Sequence, residues 1–397
     1  MTVSRRTPVT IDTLPSARLG SLLENATPAA PLYYRHGDTE IVGLGVHSRF
    51  VAEGPDRCSQ LNAQWNSLVS SVDRRYRSQL MAFGSAEFNP VGEARLIVPR
   101  TTIVRRGREV TIISLGAGAP EPQRKALGAA PVVEWEPRQS VFRERVDIAV
   151  NRLDEEFGKV VVARAIMGSV TALGDERTPL ASLTADYPDT HIFAVEGLWG
   201  ASPETLVRVR ERRVSARVLA GSAARGTDPT RDADAARALA ASPKDLDEHA
   251  FAVRSVVSVF ARHCRSVVGA LHPFTLRLSN LWHLASDIEG ILSENTSILS
   301  IIDSLHPTAA VAGVPLDRAL ATIDEVEVFP RERYAGPIGW VDGAGNGEFA
   351  IALRCAQWND GGIIAHAGAG IVAGSNPESE FAETELKFRP IRSSLGD

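Results

Sequence analysis

Apolar and polar positions alternate along this chain with two different periods. Residues 1–135 carry short apolar runs punctuated by Gly and Pro. The runs 94–98 and 110–115 predict strands, with Gly107-Arg108 a turn between them. Residues 116–130, rich in Gly, Ala and Pro, predict a linker. Over 138–157, Val141, Val146, Ile148, Ala149, Leu153 and Phe157 recur at roughly helical spacing, which predicts a helix stopped at Gly158. The β-branched run 160–166 then predicts a buried strand with Lys159 at its mouth.

Further on, 191–195 predicts a strand and 197–204 a tight connection. The runs 206–210 and 214–219 predict a hairpin turning at 211–213. Ser242-Pro243-Lys244-Asp245 has the form of a capping box with Pro at the first helical position. The helix it opens carries Leu246, Ala250, Val253, Val257, Phe260 and Cys264 as its apolar stripe, with Glu248 on a different face. Strands over 338–341 and 349–356 flank a hairpin loop at 342–347, and 359–362 turns into a strand at 363–366. Asn376 as N-cap and Pro377 at the first helical position predict a C-terminal helix. Long strands with a few long helices make a large mixed α+β domain.

Composition changes this picture little. The 397 residues are 44% hydrophobic and 23% charged, ordinary for a globular protein. A net charge of −5 argues against nucleic-acid binding. Cys58, Cys264 and Cys355 are far apart, which fits a reducing compartment without a disulfide framework. The N-terminus lacks an apolar signal core and no charge-free apolar run approaches the length of a membrane span. The expectation is a cytoplasmic monomer without a membrane partner.

Candidate chemistry concentrates near the C-terminus. Gly368-Ala369-Gly370 ends an apolar run, where backbone N–H groups could approach an anion. A dinucleotide-binding turn is excluded, because only about 27 residues follow Gly370, too few for such a fold. Glu380, Glu383 and Lys387 project from one face of the helix, as a metal and carboxylate site or as a solvated face with an i,i+4 pair.

Seven short stretches in order carry a family resemblance: residues 157–161, 200–204, 219–222, 244–249, 281–284, 305–308 and the C-terminal segment. Together they resemble the chorismate-utilising enzymes, and among these the isochorismate synthases. The motifs run from about Phe157 to Lys387, over half the chain, within a catalytic region of residues 136–397. Residues 1–135 match loosely, as the N-terminal part of the same domain. The resemblance implies one large domain of two packed, mostly antiparallel β-sheets flanked by helices. It also implies Mg²⁺-dependent conversion of chorismate, with water added at ring C2 and the C4 hydroxyl lost.

Four tasks follow from that reaction. The resemblance makes Lys159 the base, which must be held neutral by burial or a neighbouring cation such as Arg164. Snorkelling from a strand end is the alternative. It makes Glu204 the acid, needing a raised pKa; an exposed loop glutamate is the alternative. Glu248 and Glu383 match the metal ligands, with Asp245 and Glu380 one turn earlier holding metal-bound water. Asp245 could instead close its capping box. Arg354 would grip a substrate carboxylate with Tyr334 and Gly370, while Gly221, Ser222, Gly368 and Lys387 match further contacts. His283 is a site histidine or a core one.

Within the family, a lysine usual in aminodeoxychorismate synthases is replaced by Ala220, and a glutamine usual in anthranilate synthases by Lys159. Tyr334 stands where some isochorismate synthases carry phenylalanine. A salicylate synthase, usually with Val-Gln-His where this chain has Leu281-Trp282-His283, is the competing enzyme. A non-catalytic chorismate-binding protein is the competing class.

Overall fold

In the computed structural model the valine-rich run becomes the strand Lys159–Ala172, longer than the predicted 160–166. The structure describes residues 7–15, 21–136, 141–226, 228–269, 272–277, 281–294 and 296–397, without the side chains of Leu14, Pro15, Ser222, Lys244, Glu248 and Leu281. Val160, Val161, Val162 and Ala163 are all buried, as a strand covered on both faces requires. The strand pairs with Gly362–Ile371 from Gly362 opposite Ser169 to Ile371 opposite Val160. Hydrogen bonding then steps through Cys355–Asn359, Leu198–Ser202, His191–Val195, Leu32–His36, Thr39–Ala52 and Ala94–Arg106. Glu109–Leu115 and Val9–Pro15 continue the order. All of these pairs are antiparallel, as the α+β class anticipates. The helices Arg177–Asp186 and Pro377–Ser394 help bury a core that includes Tyr33, Val42, Leu180, Ile192, Trp199 and Phe388.

Contacts group the chain into two compact units. One comprises residues 1–204, 306–344 and 349–397, the other residues 205–305 and 345–348. In the second unit Leu281–Leu292 is central, pairing with Arg213–Ala224, Cys264–Gly269 and Phe274–Arg277. The helix Pro243–His263 begins where predicted, with the Ser242 hydroxyl accepting from the Asp245 N–H.

Four expectations give way to local geometry. The helix predicted over 138–157, whose first residues lie outside the described ones, ends at Val150. Asp154 stops it, because its carboxylate accepts the N–H groups of Glu156 and Phe157 at 2.9 Å each and forms a turn instead. Residues 197–204 are mostly the buried strand Leu198–Ser202, and the connection shrinks to Glu196-Gly197, with φ of 48° and 81°. The single strand predicted over 349–356 is two strands, Gly347–Ile351 and Cys355–Asn359, broken where Arg354 adopts φ 48°. Residues 116–130 form no helix or strand, yet they are pinned. Buried Arg177 donates to the carbonyls of Glu24, Ala26, Lys125 and Ala126 at 3.0–3.3 Å and to Asp175 at 2.6 Å.

Removing one member of a buried ion pair strands the other charge, at a cost of about 3–5 kcal/mol. Arg177→Met is therefore expected to lower the urea midpoint by an amount equivalent to about 3 kcal/mol or more. A midpoint equal to that of the wild-type protein would show that Arg177 does not hold the 116–130 segment in place.

Candidate active site

The register between Lys159–Ala172 and Gly362–Ile371 sets Val161 opposite Gly370 and Ala163 opposite Gly368. Side chains alternate along a strand, so Lys159, Val161 and Ala163 share a face and Arg164 lies on the other. Lys159 reaches across to Gly370, where an added Cβ would sit 3.1 Å from its Cε. At Gly368 an added Cβ would lie 3.2 Å from the Tyr334 hydroxyl. Both glycines thus make room for the Lys159 and Tyr334 side chains, and both are interior strand residues. Arg164 is no neighbour for Lys159 either. It donates to Thr384 at 2.8 Å, pairs with Glu385 and stacks on Phe381, which ties the strand to the C-terminal helix.

Lys387 arrives on that helix, capped by Asn376 as predicted. Its ammonium donates to the Gly368 carbonyl at 2.7 Å and pairs with Glu383 at 2.5 Å. The i,i+4 pair therefore exists, with its cation turned onto the glycine strand. Burial draws the Lys387 pKa down, and Glu383 opposes that shift.

Glu204 follows Ser202, whose hydroxyl donates to the Ile351 carbonyl at 2.6 Å and accepts the Glu204 N–H at 3.2 Å. The loop is therefore fixed at the acid's own backbone. Burial pushes the Glu204 carboxyl up to about 7, although the positive charges of Lys159 and Lys387 pull against it. Desolvation is the larger effect, so an appreciable fraction of the carboxyl stays protonated near neutrality. Gly200, two residues before Ser202, has to be glycine because the Arg354 carbonyl oxygen comes within 2.5 Å of where a Cβ would stand.

Arg354 is largely buried, and desolvation lowers its pKa in spite of Tyr334 and Glu383 nearby. Its guanidinium has no side-chain hydrogen bond to a described residue, which leaves a planar fork open for a carboxylate. Its backbone strain, of order 1 kcal/mol or more, is the kind that persists where function holds a residue in place. The Tyr334 ring stacks on His366 at 5.2 Å, and burial raises its phenol pKa well above the ordinary value.

Glu380 and Glu383 offer hard carboxylate oxygens. Burial, reinforced by the charge of Glu383, raises the Glu380 pKa against a 2.8 Å hydrogen bond from Ser375. A divalent cation would relieve that repulsion, so the donor set fits Mg²⁺. In the second unit, Gly221 at φ 77° forms a bulge between Ala220 and Ser222. An added Cβ there would lie 3.1 Å from the Asp245 Cβ. The Ser242 N–H bonds the Leu239 carbonyl, so Asp245 is not needed to close the capping box. His283 lies opposite Ser222 and is half-buried. The side chains of Ser222 and Glu248 fall outside the described residues.

A family described as chorismate binding enzyme matches residues 113–396. The chain belongs to that family. It is 30% identical over 358 residues to isochorismate synthase DhbC of Bacillus subtilis, covering 87% of this chain and 88% of that one. The vibriobactin-specific isochorismate synthase of Vibrio cholerae is 29% identical over 94% of each chain. Among solved structures, MenF, the menaquinone-specific isochorismate synthase of Escherichia coli, superposes with TM-score 0.78 at 25% identity, over 98% of this chain and 95% of that one.

Three residues of this chorismate binding enzyme that sequence reasoning left without a role stand close to its candidates. Ser202 holds Glu204. His249 donates from Nδ1 to the Ala220 carbonyl at 3.1 Å and accepts from the Ser286 hydroxyl at 2.8 Å, which seats the helix on the bulge. The Trp282 indole donates to Asp232 at 2.9 Å, and Arg225 grips that carboxylate at 2.6 and 2.7 Å. His249 and Trp282 lie inside the quoted motifs; only their partners are invisible in one dimension.

The raised Glu204 pKa has a measurable sign. The native state binds a proton more tightly than the unfolded chain, so Glu204 costs nothing below its ordinary pKa. Its penalty grows as pH rises from about 4.5 to about 7 and stays constant above. Glu204→Gln should raise the urea midpoint relative to wild type at pH 8, by on the order of 2 kcal/mol after allowance for partial exposure. The two proteins should coincide near pH 4.5. Equal midpoints at pH 8 would mean that Glu204 ionises as an ordinary carboxyl.

Proposed function

We propose that the chain is an isochorismate synthase, converting chorismate reversibly to isochorismate by adding water at C2 and expelling the C4 hydroxyl. The observation that carries this reading is Glu204, a buried carboxyl beside Lys159 and Lys387 whose pKa burial raises to about 7. A departing hydroxyl needs such a donor. Lys159, across from Gly370, is the base: in its neutral form it takes the proton from the attacking water. One proton enters as the other leaves, so the chemistry needs no redox partner and runs in both directions. Arg354 receives a substrate carboxylate on its open fork, with the Tyr334 hydroxyl beside Gly368. Lys387, held over the Gly368 carbonyl, supplies a second positive charge.

Mg²⁺ is the proposed ion, with Glu248 and Glu383 as ligands and Asp245 and Glu380 holding its waters. When bound it would neutralise and orient the ring carboxylate. Relatives with siderophore-specific and menaquinone-specific names resemble this chain alike, and isochorismate is the proposed product for either use. The motif Leu281-Trp282-His283, in place of the Val-Gln-His usual in salicylate synthases, supports isochorismate as the released product.

Incubation with chorismate and Mg²⁺ is expected to accumulate isochorismate in balance with chorismate, as read by chromatography. Stoichiometric pyruvate would make the enzyme a salicylate synthase, and full activity in EDTA would remove the metal. Lys159→Ala and Glu204→Gln should each lower kcat by roughly 10²–10⁴-fold. Because Glu204 acts protonated, kcat should fall as pH rises through about 7 on its account, and that limb should vanish in Glu204→Gln.

Arg354→Lys replaces a planar fork with a point charge. It should lower kcat/KM by about thirtyfold, or roughly 2 kcal/mol. A variant within about threefold of wild type would take Arg354 out of the site.

A further inference from the structure

The strand Lys159–Ala172 has a continuous partner on one edge only. Its other edge meets strand at the two ends, Gly313–Val314 beside Val160 and Lys159, and Val132–Trp135 beside residues 168–172. Between them the backbone is served differently. The Val161 N–H donates to the Ala312 carbonyl at 2.7 Å. The Val161 carbonyl accepts from Arg331 Nη2 at 2.8 Å, and the Ala163 N–H donates to Glu327 Oε1 at 2.7 Å. Glu327 and Arg331, one helical turn apart in sequence, pair at 2.6 Å with side chains only 6% and 3% exposed. Arg331 Nη1 also donates to the Val311 carbonyl at 2.7 Å, in the segment that runs into Gly313. Gly313 itself approaches so closely that an added Cβ would stand 2.2 Å from the Lys159 carbonyl oxygen.

We propose that the Glu327–Arg331 pair stands in for a missing strand and positions Lys159 by fixing the strand edge two to four residues beyond it. The role rests on the reading of Lys159 as the base. A buried ion pair is a weak device for stability, since apolar residues of similar volume often do as well. It is a strong device for direction. The carboxylate accepts from one strand N–H while the guanidinium fork donates to a strand carbonyl and to the neighbouring segment. The same guanidinium lies 6.0 Å from the Tyr334 ring, so one pair braces the elements that carry Lys159 and Tyr334.

The test uses full-length Glu327→Ala, Glu327→Gln and Arg331→Lys, read by turnover with chorismate and Mg²⁺ and by backbone hydrogen exchange. Glu327→Ala should lower kcat about tenfold or more while KM for chorismate stays within about threefold, because a small misplacement of a catalytic group acts on the chemical step. Exchange over residues 161–163 should quicken with no change in Ala94–Arg106. Glu327→Gln keeps an acceptor for Ala163 and should recover part of kcat. If Glu327→Ala does not fold, selective exchange at 161–163 in Glu327→Gln and Arg331→Lys carries the proposal. A kcat within about twofold of wild type in every folded variant overturns it, as does exchange that rises equally throughout the chain. A wild-type protein inert toward chorismate would refute the proposed function instead, while the exchange measurement would still decide whether the pair clamps the strand.

Discussion

Most of the first unit's chemistry depends on one antiparallel register, the pairing of Lys159–Ala172 with Gly362–Ile371. A slip of one residue would turn every side chain of the strand to the opposite face. Lys159 would then leave Gly370, and Arg164 would lose Thr384, Glu385 and the aromatic rings of the C-terminal helix. The two faces demand the same register for different reasons. One packs an arginine into an aromatic cluster, and the other leaves glycines under a lysine and a tyrosine. A register enforced twice is a rigid base for the side chains it carries.

Around that base, burial does the tuning. Glu204 is raised because desolvation outweighs two nearby lysines, and Arg354 and Lys387 are lowered by the same cause. Each shift is a stability cost, joined by the backbone strain at Arg354. The offset comes from large buried structures away from the chemistry. Arg177 with Asp175 is one, holding four carbonyls, and the core around Trp199 and Phe388 is another.

Several motif residues of this chain set backbone constraints rather than supply a chemical group. Gly200 admits the Arg354 carbonyl, Ser202 ties off the loop before Glu204, and His249 braces the carbonyl next to the Gly221 bulge. These residues touch no reacting atom in the proposed mechanism. They decide where the residues that do so can stand.

The sequence by itself determined everything that depends on neighbours along the chain. Asn376 and Ser242 cap their helices because a cap needs only the next three residues, and the hairpin turn at Glu211-Arg212 follows from its flanking strands. The ordered motifs were equally legible, and with them the α+β class and the family. Where prediction failed, a distant or side-chain partner overrode propensity. Asp154 ended a helix early, Arg177 pinned a stretch with the composition of a linker, and the break at Arg354 split a strand whose apolar pattern ran on. Only the tertiary structure showed that Gly368 and Gly370 make room for side chains, that Arg164 faces away from Lys159, and that Glu327 and Arg331 complete a strand edge. Each of those facts is a contact between residues far apart in sequence or a choice of face. Composition and periodicity carry no information about either until the strands are paired.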